Sequence, residues 1–293
     1  MQVLLLGAGG MLGHDLIVSK PAEIVLHPCT RAQVDITDAW QVQHAISHCE
    51  ADLVVNAAAY TDVDEAERDP DTAFAINAVA PGEIGRAAAQ VGARVVHYST
   101  DYIFDGRAKS PYQEQDPPNP LSVYGASKLR GDKNLEMSGA EYLIIRTQWL
   151  FGLHGRSFPR TMWERAISRL STRVVVDRVG RPTYTVDLAR VTWELAAAGV
   201  SGIVHAANAS TGSWYDVARR IYAAANAEEL LEPCSHAEYP AAASRPAWSV
   251  LDTAKLDGLI GRPLPTWQNA IDRFLLEIRD SPQLPSPRDL CKP

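Results

Sequence analysis

Val3-Leu4-Leu5-Leu6-Gly7-Ala8-Gly9-Gly10-Met11-Leu12-Gly13 stands almost at the start of this 293-residue chain. The four apolar residues have the length of a strand and no polar alternation, so both faces of that strand are expected to be buried. A glycine-rich turn follows at once, and a helical pattern then runs through Leu16. Strand, glycine turn and helix in that order are the setting in which such a turn holds a dinucleotide. Gly7 permits the tight turn, Gly10 lets the backbone approach a pyrophosphate, and Gly13 allows close helix–strand packing. The helix that starts at Met11 and Leu12 offers free N–H groups and a positive dipole end to the phosphates. A structural turn has the same composition, so the reading depends on what surrounds it.

The surroundings repeat the unit. Strands are expected at Glu23–Leu26, Leu53–Asn56, Arg94–Tyr98 and Tyr142–Arg146. Helices are expected over Asp38–His48, capped by Thr37 or Asp38, and from Pro81 to about Val91. Short apolar strands separated by helices imply βαβ units, right-handed crossovers and a Rossmann-like, doubly wound parallel sheet of the α/β class. After about Phe151 the rhythm loosens and Gly-Arg-Pro appears twice, at 180–182 and 261–263. Short strands at Val174–Val176 and Ile203–His205 lie among helices such as Tyr215–Ala225. The expected division is therefore 1–150 for the dinucleotide, 151–279 mainly for the substrate with some segments rejoining the sheet, and a mobile tail at 280–293.

Composition removes several function classes. The net charge of −7 repels phosphate backbones and anionic lipid, so neither nucleic acid nor a membrane surface is an expected partner. Cys29, Cys49, Cys234 and Cys291 are scattered with no CxxC pair, as expected of free thiols in a reducing cytoplasm. The N-terminal apolar run is too short for a signal peptide or a membrane span. No metal-ligand spacing is visible.

Further motifs sit where the strands end. The second strand runs into His27-Pro28-Cys29-Thr30-Arg31, with no carboxylate to take a ribose 2′-hydroxyl. Thr30 and Arg31 suit a 2′-phosphate and so favour NADPH over NADH; the alternative is a surface arginine. Asp35-Ile36 is read either as an adenine contact or as part of a helix cap. After the third strand, Ala57-Ala58-Ala59-Tyr60 lets a flat cofactor lie against backbone. Tyr124-Gly125-Ala126-Ser127-Lys128 places a phenol and an ammonium one helical turn apart, where the ammonium is expected to lower the phenol's pKa. Such a pair can protonate a carbonyl oxygen while hydride reaches its carbon. Thr100, in Ser99-Thr100-Asp101-Tyr102-Ile103-Phe104-Asp105-Gly106, is placed to bond the same oxygen. A turn held by Thr and Asp explains its polarity but not its position.

These segments, together with Arg146-Thr147-Gln148-Trp149-Leu150-Phe151-Gly152 and Gly180-Arg181-Pro182-Thr183-Tyr184-Thr185-Val186-Asp187-Leu188-Ala189, resemble the dTDP-4-dehydrorhamnose reductase family of extended short-chain dehydrogenase/reductases over nearly the whole chain, to about Leu276. The resemblance implies NAD(P)H-dependent reduction of the 4-keto group of dTDP-4-dehydro-L-rhamnose. It implies Tyr124 as proton donor, Lys128 on the nicotinamide ribose, Thr100 on the keto oxygen, and Asp101, Tyr102 and Trp149 about the sugar. Asn77 matches an asparagine near the active site, and Arg245 is expected to face the nucleotide phosphates. A homodimer and Mg²⁺ are compatible with the family, although no acidic cluster in the sequence calls for the ion. Gln148, Pro159 and Trp248 depart from the family's usual residues, Pro159 by interrupting a helix-friendly segment. Two alternatives share the same motifs: an epimerase or dehydratase for nucleotide sugars, and a non-catalytic NADP-binding regulatory subunit like that of methionine adenosyltransferase.

Overall fold

A computed structural model describes residues 1–238 and 241–280. Six parallel strands form the central sheet: β1 (Gln2–Leu6), β2 (Val25–Cys29), β3 (Leu53–Asn56), β4 (Arg94–Thr100), β5 (Tyr142–Thr147) and β6 (Gly202–His205). Their order is β6-β5-β4-β3-β1-β2. The order reverses between β1 and β3, which opens a crevice at their carboxyl ends. β6 comes from the second half of the chain and pairs with β5. Its apolar residues complete a sheet face that β5 alone would leave at an open edge.

Helices cover both faces because both faces are apolar. Leu12 and Leu16 of α1 (Met11–Val18) join Val3, Leu5 and Val55 in one buried cluster. Val42 and Ile46 of α2 (Ala39–His48) join Leu4, Leu6 and Val54 on the other side. That second face also holds Ile84 of α3 (Ala80–Val91) and Leu135 of α4 (Val123–Glu136). A separate core lies beyond β5, where α5 (Phe158–Ile167), α7 (Trp214–Ala224) and α8 (Trp267–Arg279) close around Phe151 and Tyr184. Between these two bodies, α6 (Thr185–Ala197) packs along α1.

Three local expectations are corrected. The second strand runs to Cys29, past Pro28, because β2 is an edge strand and proline's missing N–H then costs no ladder bond. The helix expected to open at Pro81 continues an earlier one: Pro70–Phe74 is already helical and a π-turn spans Ala75–Val79. That turn changes the bonding phase just ahead of the proline ring, which a regular α-helix would not accommodate. Pro159 opens a helix and does not interrupt one; it stands in the first turn of α5, with Ser157 as cap, where no N–H is needed. Residues 281–293 of the expected tail lie outside the described residues.

The glycine turn is closed by backbone contact. Gly7 has φ +83, and a Cβ there would sit 2.5 Å from the Ala58 nitrogen. At Gly13 a Cβ would lie 2.3 Å from the Gly7 carbonyl oxygen, and at Gly10 only 3.3 Å from it. Gly13→Ala is therefore expected to cost about 1–3 kcal/mol through forced backbone shifts. Gly10→Ala should cost clearly less. Denaturant midpoints of the two variants test this, and equal losses would contradict it.

Candidate active site

The crevice between β1 and β3 is a cavity of about 470 Å³ lined by Gly7, Gly9, Gly10, Thr30, Arg31, Asp35, Ile36, Ala57, Ala58 and Ala59, with Ala32, Val34 and Ile76. Its floor is backbone, because the residues at the strand ends are glycine or alanine. The N–H groups of Gly7 and Ala8 both bond the Cys29 carbonyl, which draws the turn onto the end of β2. Such a cradle fits a dinucleotide, whose phosphates would meet the start of α1.

Some expected cofactor contacts fall elsewhere. Leu12 is buried in the sheet core, Gly13 packs on the Gly7 carbonyl, and Met11 turns toward Gly152 and Gly155. Only their backbone, in the first turn of α1, faces the phosphate side. Tyr60 lies outside the cavity wall. Asn77 is buried and its amide is engaged by protein: Oδ1 accepts from Tyr60 N, and Nδ2 donates to the Tyr60 carbonyl and to Ser127 Oγ. It clamps the cofactor loop to α4 and leaves no amide proton for a ligand. The Asp35 carboxylate accepts from Thr37 N and Oγ1, which holds its pKa below the usual range. It also stands 4.0 Å from Arg31, whose side chain is 82% exposed. Arg31 thus lines the cavity with a carboxylate beside it, contrary to the carboxylate-free setting expected from the sequence. The cap of α2 is Asp38.

Thr100 ends β4, and Ser122 caps α4 so that its first turn faces the 101–103 turn. A Cβ on Gly125 would fall 2.2 Å from the Tyr102 carbonyl oxygen, so only glycine lets α4 approach this closely. The approach brings the Thr100 hydroxyl to the Tyr124 phenol, and sets the Tyr102 and Tyr124 rings edge to face at 5.8 Å. Asp101 is buried; its Oδ1 accepts from Thr100 Oγ1, and its Oδ2 has no hydrogen-bond partner among the described residues.

One electrostatic expectation is overturned. The Tyr124 phenol is pushed up to about 12, chiefly by burial, with Asp101 and Asp132 adding to the rise. Lys128 Nζ takes other partners. Lys128 is buried, donates to the Tyr98 carbonyl at 2.6 Å and lies 3.3 Å from His97 Nε2. Helical spacing placed the two side chains on one face, but β4 captures the amine.

A larger cleft of about 930 Å³ adjoins this point. Arg68, Arg165, Arg173, Arg178 and Arg245 line it, with Phe158 and Trp214. Trp149, two residues past β5, has φ +51 and stacks on Trp214 at 3.7 Å, and Phe158 meets Trp214 edge on. Arg245 grips Asp64 through two bonds of 2.6 and 3.1 Å and reaches the Tyr102 hydroxyl. It lines the cleft wall and is already paired. Gln148 is buried and accepts the Arg181 N–H. Trp214, Phe158 and the other arginines were missed in the sequence, since they come from three separate segments with no shared spacing. So were His14, Asp15 and His154, whose donor atoms lie within 4.8 Å of one another although no local spacing suggests a metal-ligand set.

Residues 1–279 match the family described as the RmlD substrate binding domain. The chain belongs to that family. It is 37% identical to the dTDP-4-dehydrorhamnose reductase of Mycobacterium tuberculosis H37Rv, covering 98% of each protein. It is also 37% identical to a Streptomyces antibioticus protein named probable dTDP-4,6-dihydroxy-2-methyloxan-3-one 4-ketoreductase, over 98% of this chain and 99% of that protein. Among solved structures, that of the Bacillus anthracis dTDP-4-dehydrorhamnose reductase in complex with NADP superposes with a TM-score of 0.90 at 35% identity, over 94% of this chain and 99% of that one. No helix among the described residues is long and apolar enough to cross a membrane.

Burial raises the Asp101 carboxyl from its ordinary 3.8 to about 7. Between those values the folded protein binds more protons than the unfolded chain, so stability falls as pH rises through the window. Asp101→Asn cannot ionise. Its stability relative to the parent should climb from about pH 4 to about pH 8, with a ceiling of about 4 kcal/mol. Thermal unfolding across that range checks the slope; a constant difference would mean that Asp101 is not shifted.

Proposed function

We propose that this protein reduces the 4-keto group of a dTDP-linked deoxysugar with NADPH, and that dTDP-4-dehydro-L-rhamnose, giving dTDP-L-rhamnose, is its substrate. The observation that supports the reading is that Thr100, at the carboxyl end of β4, faces the Tyr124 phenol in the first turn of α4, with Tyr102 in reach of Arg245 on the wall of the arginine-lined cleft. The bound nicotinamide supplies hydride to the carbonyl carbon. Tyr124, whose raised pKa keeps the phenol protonated at neutral pH, donates its proton to the carbonyl oxygen. Thr100 orients that oxygen. Lys128 serves the nicotinamide ribose, and Gly7, Gly10, Thr30, Arg31 and Ala57–Ala59 hold the rest of the dinucleotide. The cleft arginines attract the substrate diphosphate, and Trp149 with Trp214 offers flat faces to its rings. In the same proposal residues 1–150 take the dinucleotide and 151–279 mainly the sugar nucleotide.

A different 4-keto sugar on dTDP is the second reading. It is favoured by the equal identity to the Streptomyces antibioticus ketoreductase. Both relatives' names share dTDP and the 4-keto reaction, so the two readings differ only in the sugar. NADPH oxidation with enzymatically generated dTDP-4-dehydro-L-rhamnose tests the first, and turnover confined to another dTDP-4-keto sugar would replace it.

Tyr124→Phe should lower turnover by at least about 10²-fold, the usual worth of a positioned acid, while NADPH affinity stays within about twofold. Near-parental turnover would remove Tyr124 as the acid. Arg31→Ala should reduce the preference for NADPH over NADH by about tenfold at most, since solvent and Asp35 leave about 1 kcal/mol to an exposed pair. Steady-state kinetics with both cofactors at rising salt should show the parental preference shrinking; an unchanged ratio in the variant would exclude the role.

A further inference from the structure

Three buried side chains form one directed chain from the Ala58 N–H at the dinucleotide cavity to Lys128. The Ala58 N–H donates to Asn56 Oδ1 at 3.2 Å. Asn56 Nδ2 lies 3.1 Å from His97 Nδ1. His97 Nε2 lies 3.3 Å from Lys128 Nζ, which donates to the Tyr98 carbonyl. Asn56, His97 and Lys128 are each at most 2% exposed.

The direction of donation follows from the ends. A backbone N–H can only donate, so the oxygen of Asn56 faces Ala58 and its NH₂ faces His97. An amide NH₂ offers no lone pair, so His97 Nδ1 must accept. Burial holds His97 well below its ordinary pKa, and a neutral imidazole carries one proton. That proton is therefore on Nε2, aimed at Lys128. An ammonium cannot accept it; an amine can.

We propose that His97 is a positioning residue that, oriented by Asn56, presents an N–H to Lys128 and holds it as the uncharged amine in the cofactor-free protein. The other groups around the amine oppose this weakly. On its own helix Tyr124 is a neutral phenol, and Asp132 is the counter-charge that favours the ammonium. Asp132 is drawn toward β5 by Arg146 at 3.6 Å and accepts from Ser99 Oγ on β4. Its own carboxyl is raised to about 6 by burial. Burial lowers Lys128 to about 8 even against the pull of Asp132, and the facing N–H acts in the same direction as burial.

Ala58 also lines the dinucleotide cavity. A ligand that takes the Ala58 N–H frees Asn56 to turn its oxygen toward His97. The Nε2 proton then passes to Lys128 Nζ, Nδ1 takes one proton from solvent and donates it to the Asn56 oxygen, and Lys128 becomes the ammonium. Binding is thereby coupled to uptake of one proton. This step rests on the reading that the cavity takes NADPH.

Lysine labelled with ¹³C at Cε reports the charge of each amine in the cofactor-free protein, with Lys128 assigned by Lys128→Met. The expected result is an amine signal for Lys128 near neutral pH. His97→Gln, whose amide oxygen can accept from the ammonium, should move its midpoint up by about one pH unit, a tenfold gain in proton affinity. Asn56→Asp, which turns the His97 proton to Nδ1, should move it the same way if the first variant does not fold. An ammonium signal near neutral pH in the parent, or a downward shift in either variant, overturns the proposal. Calorimetry of NADPH binding in two buffers of different ionisation heat should show net proton uptake, and binding without it overturns the coupling. Failure of NADPH to bind would fall on the proposed function instead, since the lysine titration needs no cofactor.

Discussion

The Gly7 backbone passes so close to Ala57 and Ala58 that no side chain fits between the ends of the first and third strands. Everything at the carboxyl edge of the sheet depends on that approach. It draws the first turn of α1 over the crevice and leaves a cavity floored by peptide groups. It also places Ala58 where its N–H meets Asn56, the first link toward the buried lysine. Parallel pairing carries the same level across to β4, where Thr100 ends the strand opposite Thr147 of β5.

A second close approach completes the centre. Gly125 lets α4 settle on the Tyr102 carbonyl, and Gly131 repeats the device six residues on, where a Cβ would lie 2.0 Å from the Asn77 carbonyl oxygen. Asn77 can offer that carbonyl because the π-turn at Ala75–Val79 shifts the helix phase ahead of Pro81. The face of α4 thus pressed inward carries Tyr124, Lys128 and Asp132. Burying such a row raises the proton affinity of the acids and lowers that of the base. Burial thus raises the carboxyl of Asp101 to about 7 and that of Asp132 to about 6, and lowers the proton affinity of the Lys128 amine.

The larger cleft is built on another principle. Its walls come from the second core, and its cations reach it from the Asp64–Arg68 helix region and from segments around residues 165, 173, 178 and 245. Most are neutralised locally, as Arg245 is by Asp64 and Arg173 by Glu238. A chain of net charge −7 can in this way carry a cationic pocket that attracts an anion over a short range only.

The sequence by itself determined the doubly wound sheet, because continuous apolar runs broken by helical spacing admit few other arrangements. It also determined the glycine turn, the Thr100–Tyr124 pairing and the family, all of which are carried by residues close together in the chain or in fixed order. The tertiary structure alone decided where the ionisable groups point. Lys128 lies one turn from Tyr124 in sequence, yet its amine turns to the Tyr98 carbonyl and His97 on the strand packed beneath the helix. Arg245 is paired by a residue 181 positions away, and Trp149 finds Trp214 across two segments. Short-range pattern encodes which elements form; the pairing of charges and rings depends on distances between elements that no local spacing records.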